Sequence, residues 1–128
     1  MAKHRVLIVD DYPDAAEIAC TLLSLEGHEC RAASTGGDAI AEAREFAPDI
    51  AILDIGLPDL SGYEVARVLR ELAGDRSLYI AAITGWGQPA DRARAFEAGF
   101  DHHVVKPADR TKLREILDRA ELAEKKGK

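Results

Sequence analysis

The stretch 50-IAILDIGLPDLSGYE-64 decides the fold. Ile50 to Leu53 form a continuous apolar run. Such a run fits a strand covered on both faces, although periodicity alone does not separate it from a buried helical segment. It ends in a carboxylate, Asp54, and passes into the turn GLPDLSG. Ser61 and Glu64 have capping-box spacing, which predicts a helix running to about Leu72.

The same alternation extends toward the N-terminus. Arg5 to Val9, RVLIV, is a second continuous apolar strand. From Asp14 to Leu25 the residues Ile18, Leu22 and Leu25 recur at helical spacing; Pro13 suits the first turn and Gly27 the stop. A weaker strand covers Glu29 to Ala33, and Thr35 with Asp38 starts a helix from about Gly37 to Phe46, which Pro48 ends. Toward the C-terminus, Tyr79 to Ile83 is a fourth strand, and a fourth helix spans Pro89 to Ala98 and stops at Gly99. The stretch 101-DHHVVKPAD-109 supplies the fifth strand, and Asp109 caps a last helix to about Ala123. Five strands alternating with five helices call for an α/β fold with a doubly wound parallel sheet and helices on both faces. Residues 1–123 read as one domain and 124–128 as a charged flexible tail.

Composition agrees with a globular domain. The 128 residues suit a single core, with 31% charged and 47% hydrophobic residues. A net charge of -6 disfavours a general nucleic-acid binder. No apolar run is long enough to cross a membrane, and MAKHRVLIVDD lacks a signal-peptide core, which points to the cytoplasm. Cys20 and Cys30 are expected to be small buried thiols, since a domain of this size needs no disulfide.

In such sheets the ligand crevice lies beyond the carboxyl ends of the strands. Here those ends carry Asp10 and Asp11, Asp54, Thr84 and Lys106. Singly, each has a plain explanation: a helix cap, a turn residue, a solvated lysine. Together they put three carboxylates, a hydroxyl and an ammonium at one edge. Three carboxylates repel one another without a cation, and oxygen-only ligation suits Mg²⁺, with Mn²⁺ as a substitute.

The motifs 6-VLIVDD-11, 50-IAILDIGLPDLSGYE-64, 83-ITG-85 and 104-VVKP-107 resemble, in order and spacing, the receiver domain of two-component response regulators. The resemblance covers nearly the whole chain. It implies a flavodoxin-like sheet of order 2-1-3-4-5 and a phosphoacceptor function. It makes Asp54 the phosphorylation site and Asp10 and Asp11 the acidic pair for Mg²⁺, joined by Asp54 and the Gly56 carbonyl. Thr84 would bond a phosphoryl oxygen and Lys106 would pair with it. The Lys106–Pro107 bond is often cis in this family, which would aim the lysine inward.

The chemistry stands on its own. A carboxylate can attack phosphorus, and a lysine, a hydroxyl and a divalent ion can neutralise and position the transferred group. His103 occupies the position of the family's aromatic switch residue, and is expected to move inward as Thr84 shifts; the alternative is an ordinary edge-strand histidine. His102 points elsewhere by strand alternation, so the pair is not a zinc motif. The resemblance implies that the positions of Gly56 and Trp86 flank the route of water to the acyl phosphate and bear on its lifetime.

The resemblance implies a sensor histidine kinase or histidine phosphotransfer protein as donor. It also implies a downstream protein bound through the fourth helix, fifth strand and last helix, near Arg92, Phe96, His103 and Arg110. The chain is either a single-domain regulator or a receiver cut from a larger one, such as a hybrid histidine kinase. Acceptance followed by slow self-dephosphorylation is expected rather than conventional turnover. The rival readings are a Mg²⁺-dependent aspartyl-phosphate phosphohydrolase and a protein-binding domain that is never phosphorylated. A dinucleotide site is weaker, because DDYPD replaces the G-x-G-x-x-G turn after the first strand.

Overall fold

A computed structural model describes residues 3–85 and 97–126. The strands are β1 (Arg5–Val9), β2 (Glu29–Ala33), β3 (Ile50–Asp54), β4 (Tyr79–Thr84) and β5 (His102–Val105). The helices are α1 (Pro13–Leu25), α2 (Gly36–Phe46), α3 (Gly62–Ala73) and a C-terminal helix (Arg110–Lys126). The five strands pair in parallel in the order β2-β1-β3-β4-β5, as expected. The helix expected over Pro89–Ala98 falls mostly on residues 86–96, outside the described residues.

Strand alternation divides the core into two layers. Leu7, Val9, Ala51, Leu53, Ile80 and Ala82 face α2 and α3. Val6, Ile8, Ile50, Ile52, Ala81 and Ile83 face α1 and the C-terminal helix. Successive residues of a strand point to opposite faces, so a run that is apolar at every position must be covered twice.

Local chemistry explains the helix ends. The Thr35 hydroxyl accepts the Asp38 amide at 3.1 Å, and the Ser61 hydroxyl accepts the Glu64 amide at 3.2 Å. The Asp109 carboxylate accepts the Lys112 amide at 3.0 Å and starts the C-terminal helix. Gly27, with φ of 94°, supplies the left-handed turn after α1.

Three expectations need correction. The face of α1 that packs inward is Ala16, Ala19 and Leu23, whereas Ile18 and Leu25 are 62% and 79% exposed. Ala16 and Ala19 bring this helix close to the sheet beside Leu23, while Ile18 and Leu25 point away. The last helix continues to Lys126 rather than fraying at Ala123, because glutamate and lysine are good helix formers. Cys20 and Cys30 are joined by a disulfide, with Cα atoms 5.3 Å apart. Cys30 pairs in register with Val6, which places it on the face that α1 covers, and both cysteines are only half-buried.

Candidate functional site

The acids meet because β1 and β3 end side by side. Asp10 follows β1 directly, and its amide donates to the Ala33 carbonyl of β2 at 3.1 Å. Its Oδ1 accepts the Tyr12 amide at 3.0 Å, which fixes the carboxylate toward the crevice. Asp54 closes β3, and its Oδ1 accepts the Gly56 amide at 2.9 Å. Asp10 and Asp54 are buried and Asp11 is exposed; one oxygen from each lies within 4.8 Å of the others.

Lys106 reaches this cluster from the end of β5. Its amide donates to the Thr84 carbonyl at 2.7 Å, and the Lys106–Pro107 peptide bond is cis. The ammonium lies 2.8 Å from Asp54 Oδ2, 3.2 Å from Asp10 Oδ1 and 3.4 Å from Asp11 Oδ1. Burial works against its charge, but the hydrogen bond and charge of Asp54, followed by Asp10, outweigh that and raise the lysine pKa. The cluster therefore gathers positive charge. Its all-oxygen donor set fits a hard divalent ion such as Mg²⁺.

Thr84 closes β4 and is buried, and its hydroxyl lies 2.9 Å from His103 Nε2. His103 shares the sheet face of its partner Ala82, while His102 points to the other face and meets Glu115 of the C-terminal helix at 3.2 Å. The two histidines thus serve different neighbours. The structure brings Asp10, Asp11, Asp54, Gly56, Thr84, His103 and Lys106 to one edge. Trp86, Arg92 and Phe96 lie outside the described residues, and Arg110 is exposed at the start of the C-terminal helix.

Two supporting residues escaped the sequence reading. A Cβ on Gly62 would stand 2.7 Å from both the Asp54 carbonyl oxygen and Ile55 Cα, so only glycine lets α3 begin this close to the end of β3. A glycine placed just after an N-cap, where helix propensity disfavours it, was the available signal. Asp59, in the loop after Asp54, accepts the Gly36 and Gly37 amides at 2.7 and 2.9 Å. Those bonds hold its carboxyl below the usual range and tie the loop to the start of α2. Asp59 carries no local signal, because its partners lie more than twenty positions away in sequence.

Comparison with known proteins agrees with this geometry. Residues 6–118 match the model of the response regulator receiver domain. The DNA-binding response regulator MtrA of Mycolicibacterium smegmatis is 35% identical over 105 residues, covering 82% of this chain and 45% of that protein. Protein PilH of Pseudomonas aeruginosa is 31% identical over 114 residues, 89% of this chain and 94% of that protein. The chain spans about half the length of MtrA and the ycf27 regulators that it matches. Among solved structures, a CheY-like receiver domain from Methanospirillum hungatei JF-1 superposes with a TM-score of 0.85 at 28% identity, covering 98% of this chain and 99% of that one. Chemotaxis protein CheY4 of Vibrio cholerae gives a TM-score of 0.84 at 26% identity over 93% of this chain and 99% of that one. Motif, fold and strand-end chemistry converge, and the chain belongs to the response regulator receiver domain family, the phosphoacceptor signalling domain of two-component systems.

Proposed function

We propose that Asp54 accepts a phosphoryl group from a sensor histidine kinase or a histidine phosphotransfer protein, and that the modification switches a protein-interaction face. The observation that carries this reading is the position of Asp54. It is buried at a strand end, aimed by the Gly56 amide and paired with the Lys106 ammonium 2.8 Å away.

The Asp54 carboxylate attacks phosphorus while the bond to the donor nitrogen breaks and its electron pair stays on the imidazole. Lys106 is set to leave the carboxylates and neutralise the entering phosphoryl oxygens. The Thr84 hydroxyl donates to one of those oxygens and thereby exchanges its His103 partner for phosphate. Asp10, Asp11, Asp54 and the Gly56 carbonyl would hold Mg²⁺, or Mn²⁺ in its place. Such an ion supplies further charge neutralisation when bound. Asp59 and Gly62 position the loop and take no part in the transfer.

An acyl phosphate adds about -1.5 to -2 charges and strong acceptor oxygens at this edge. Withdrawal of the Thr84 hydroxyl frees His103 to reorient, and β5 carries that change to the face shared with the C-terminal helix. Gly56 offers no side chain to orient an attacking water, so self-dephosphorylation is slow; replacement of Trp86 by alanine tests whether that residue adds to the slowness. Residues 1–123 act as one receiver unit in the cytoplasm. Its output is a protein contact rather than nucleic acid or membrane insertion.

The test incubates a panel of phosphorylated histidine kinases with wild type and Asp54→Asn and follows phosphate transfer. The reading requires transfer to wild type, none to the variant, and a protein that binds the modified form selectively. Sustained turnover of phosphomonoesters would instead mark a phosphohydrolase.

A further inference from the structure

The Cys20–Cys30 disulfide joins α1 to β2 and has no part in phosphoryl chemistry. Both cysteines are half-buried, so a small thiol can reach them. Cys20 and Cys30 pack against the edge of one core layer, whose buried residues are aliphatic. A chain of this length buries enough apolar surface to fold without a disulfide. The bond instead restrains a weak margin. Among the described residues β2 is an edge strand that pairs with β1 alone, and of its five residues only Ala33 is buried. Its last carbonyl nevertheless holds the Asp10 amide, so restraint of β2 reaches the acidic site.

We propose that Cys20 and Cys30 are a reversible thiol–disulfide pair that exchanges with small-molecule thiols of the glutathione class and locks α1 onto β2. In the oxidising direction one protein thiolate attacks a sulfur of oxidised glutathione and expels one glutathione thiolate. The second protein thiolate then attacks the protein sulfur of the mixed disulfide and expels the other. Two protein thiols are oxidised, one small disulfide is reduced to two thiols, and the two protons leave on the departing glutathione. No further oxidant is needed.

The lock lies beyond the phosphoacceptor role, and its test needs no phosphate. The wild-type chain is equilibrated anaerobically with mixtures of reduced and oxidised glutathione, alkylated and weighed intact. The expected result is one intramolecular disulfide whose fraction follows the ratio of squared reduced to oxidised glutathione. Reduction is expected to lower Tm by on the order of 10 °C, and to speed amide exchange in residues 20–30. The double variant Cys20→Ser, Cys30→Ser should have the reduced protein's Tm under both conditions. Thiols that stay free in excess oxidised glutathione, a stable mixed disulfide, or a covalent dimer would overturn the pairing. A disulfide that persists in excess reduced glutathione would overturn its reversibility, and an unchanged Tm and exchange rate would overturn the lock.

Discussion

The Lys106 ammonium lies 2.8 Å from Asp54 Oδ2, and the same nitrogen also serves Asp10 and Asp11. One side chain thus holds together three carboxylates that would otherwise repel one another, and it competes with any divalent ion for them. Replacing it with methionine keeps the stem and removes the charge. Lys106→Met is expected to bind Mg²⁺ about tenfold more tightly, or ~1.4 kcal/mol, by titration calorimetry. It should also lose most of its phosphoryl acceptance. Unchanged Mg²⁺ affinity would show that the ammonium and the ion do not share a site.

Gly62 supports the same strand end from behind. Gly62→Ala drives a methyl group into the Asp54 carbonyl and Ile55. The expected loss is about 1–3 kcal/mol in urea unfolding, as for other overpacked positions. Phosphorylation should also slow, because the displaced atoms belong to Asp54 and its neighbour Ile55. A variant of wild-type stability would mean that α3 can retreat without cost.

The Thr84–His103 contact of 2.9 Å links the site to β5. With Mg²⁺ and beryllium fluoride as a phosphoryl mimic, a crystal structure should show that separation beyond about 3.5 Å, the limit of a hydrogen bond. Thr84→Val should sever the link without the mimic. A His103 side chain in the same place with and without the mimic removes its switch role.

The opposite end of the sheet predicts a pH dependence. His4 is buried, with Nδ1 2.7 Å from Asp49 and Nε2 3.1 Å from Glu121 of the C-terminal helix. Its amide donates to His28 Nδ1 at 3.0 Å, and the two rings stack. Burial works against the His4 charge, but the two carboxylates outweigh it and raise the pKa. His28 shifts down, first through burial and then through the His4 charge. Between the unfolded value of 6.5 and the folded one, the native state holds the His4 proton that the unfolded chain has lost. Stability from His4 is therefore complete below pH 6.5 and declines as pH rises through its folded pKa. His28 acts in the opposite sense below pH 6.5, where the unfolded chain binds the extra proton. His4→Gln should flatten the fall in Tm as pH rises above 6.5. Parallel profiles for variant and wild type would remove His4 as the source.

The sequence revealed what repeats or sits at a boundary. The runs VLIV, IAIL and IAAI are buried throughout, and each ends one residue from the crevice, so Asp10, Asp54 and Thr84 were placed by counting. What depends on pairing between distant elements stayed hidden. The disulfide needed the β1–β2 register that turns Cys30 toward α1. The His4 network needed four elements to meet at one edge, and the Asp59 cap needed the β3–α3 loop to fold back on α2. Along α1 the spacing of Ile18, Leu22 and Leu25 marked a helix but not its inward face: Leu22 packs against the core, Ile18 and Leu25 are exposed, and Ala16, Ala19 and Leu23 are the buried positions.

The central claim is that Asp54 is the phosphoacceptor. Its most direct test is intact-mass measurement of the folded protein after incubation with acetyl phosphate and Mg²⁺, with peptide mapping of the labile adduct. The account predicts one phosphoryl group on wild type, mapped to Asp54, not formed when Mg²⁺ is withheld and absent from Asp54→Asn. Equal labelling of Asp54→Asn, or no labelling of folded wild type with Mg²⁺ present, would contradict it.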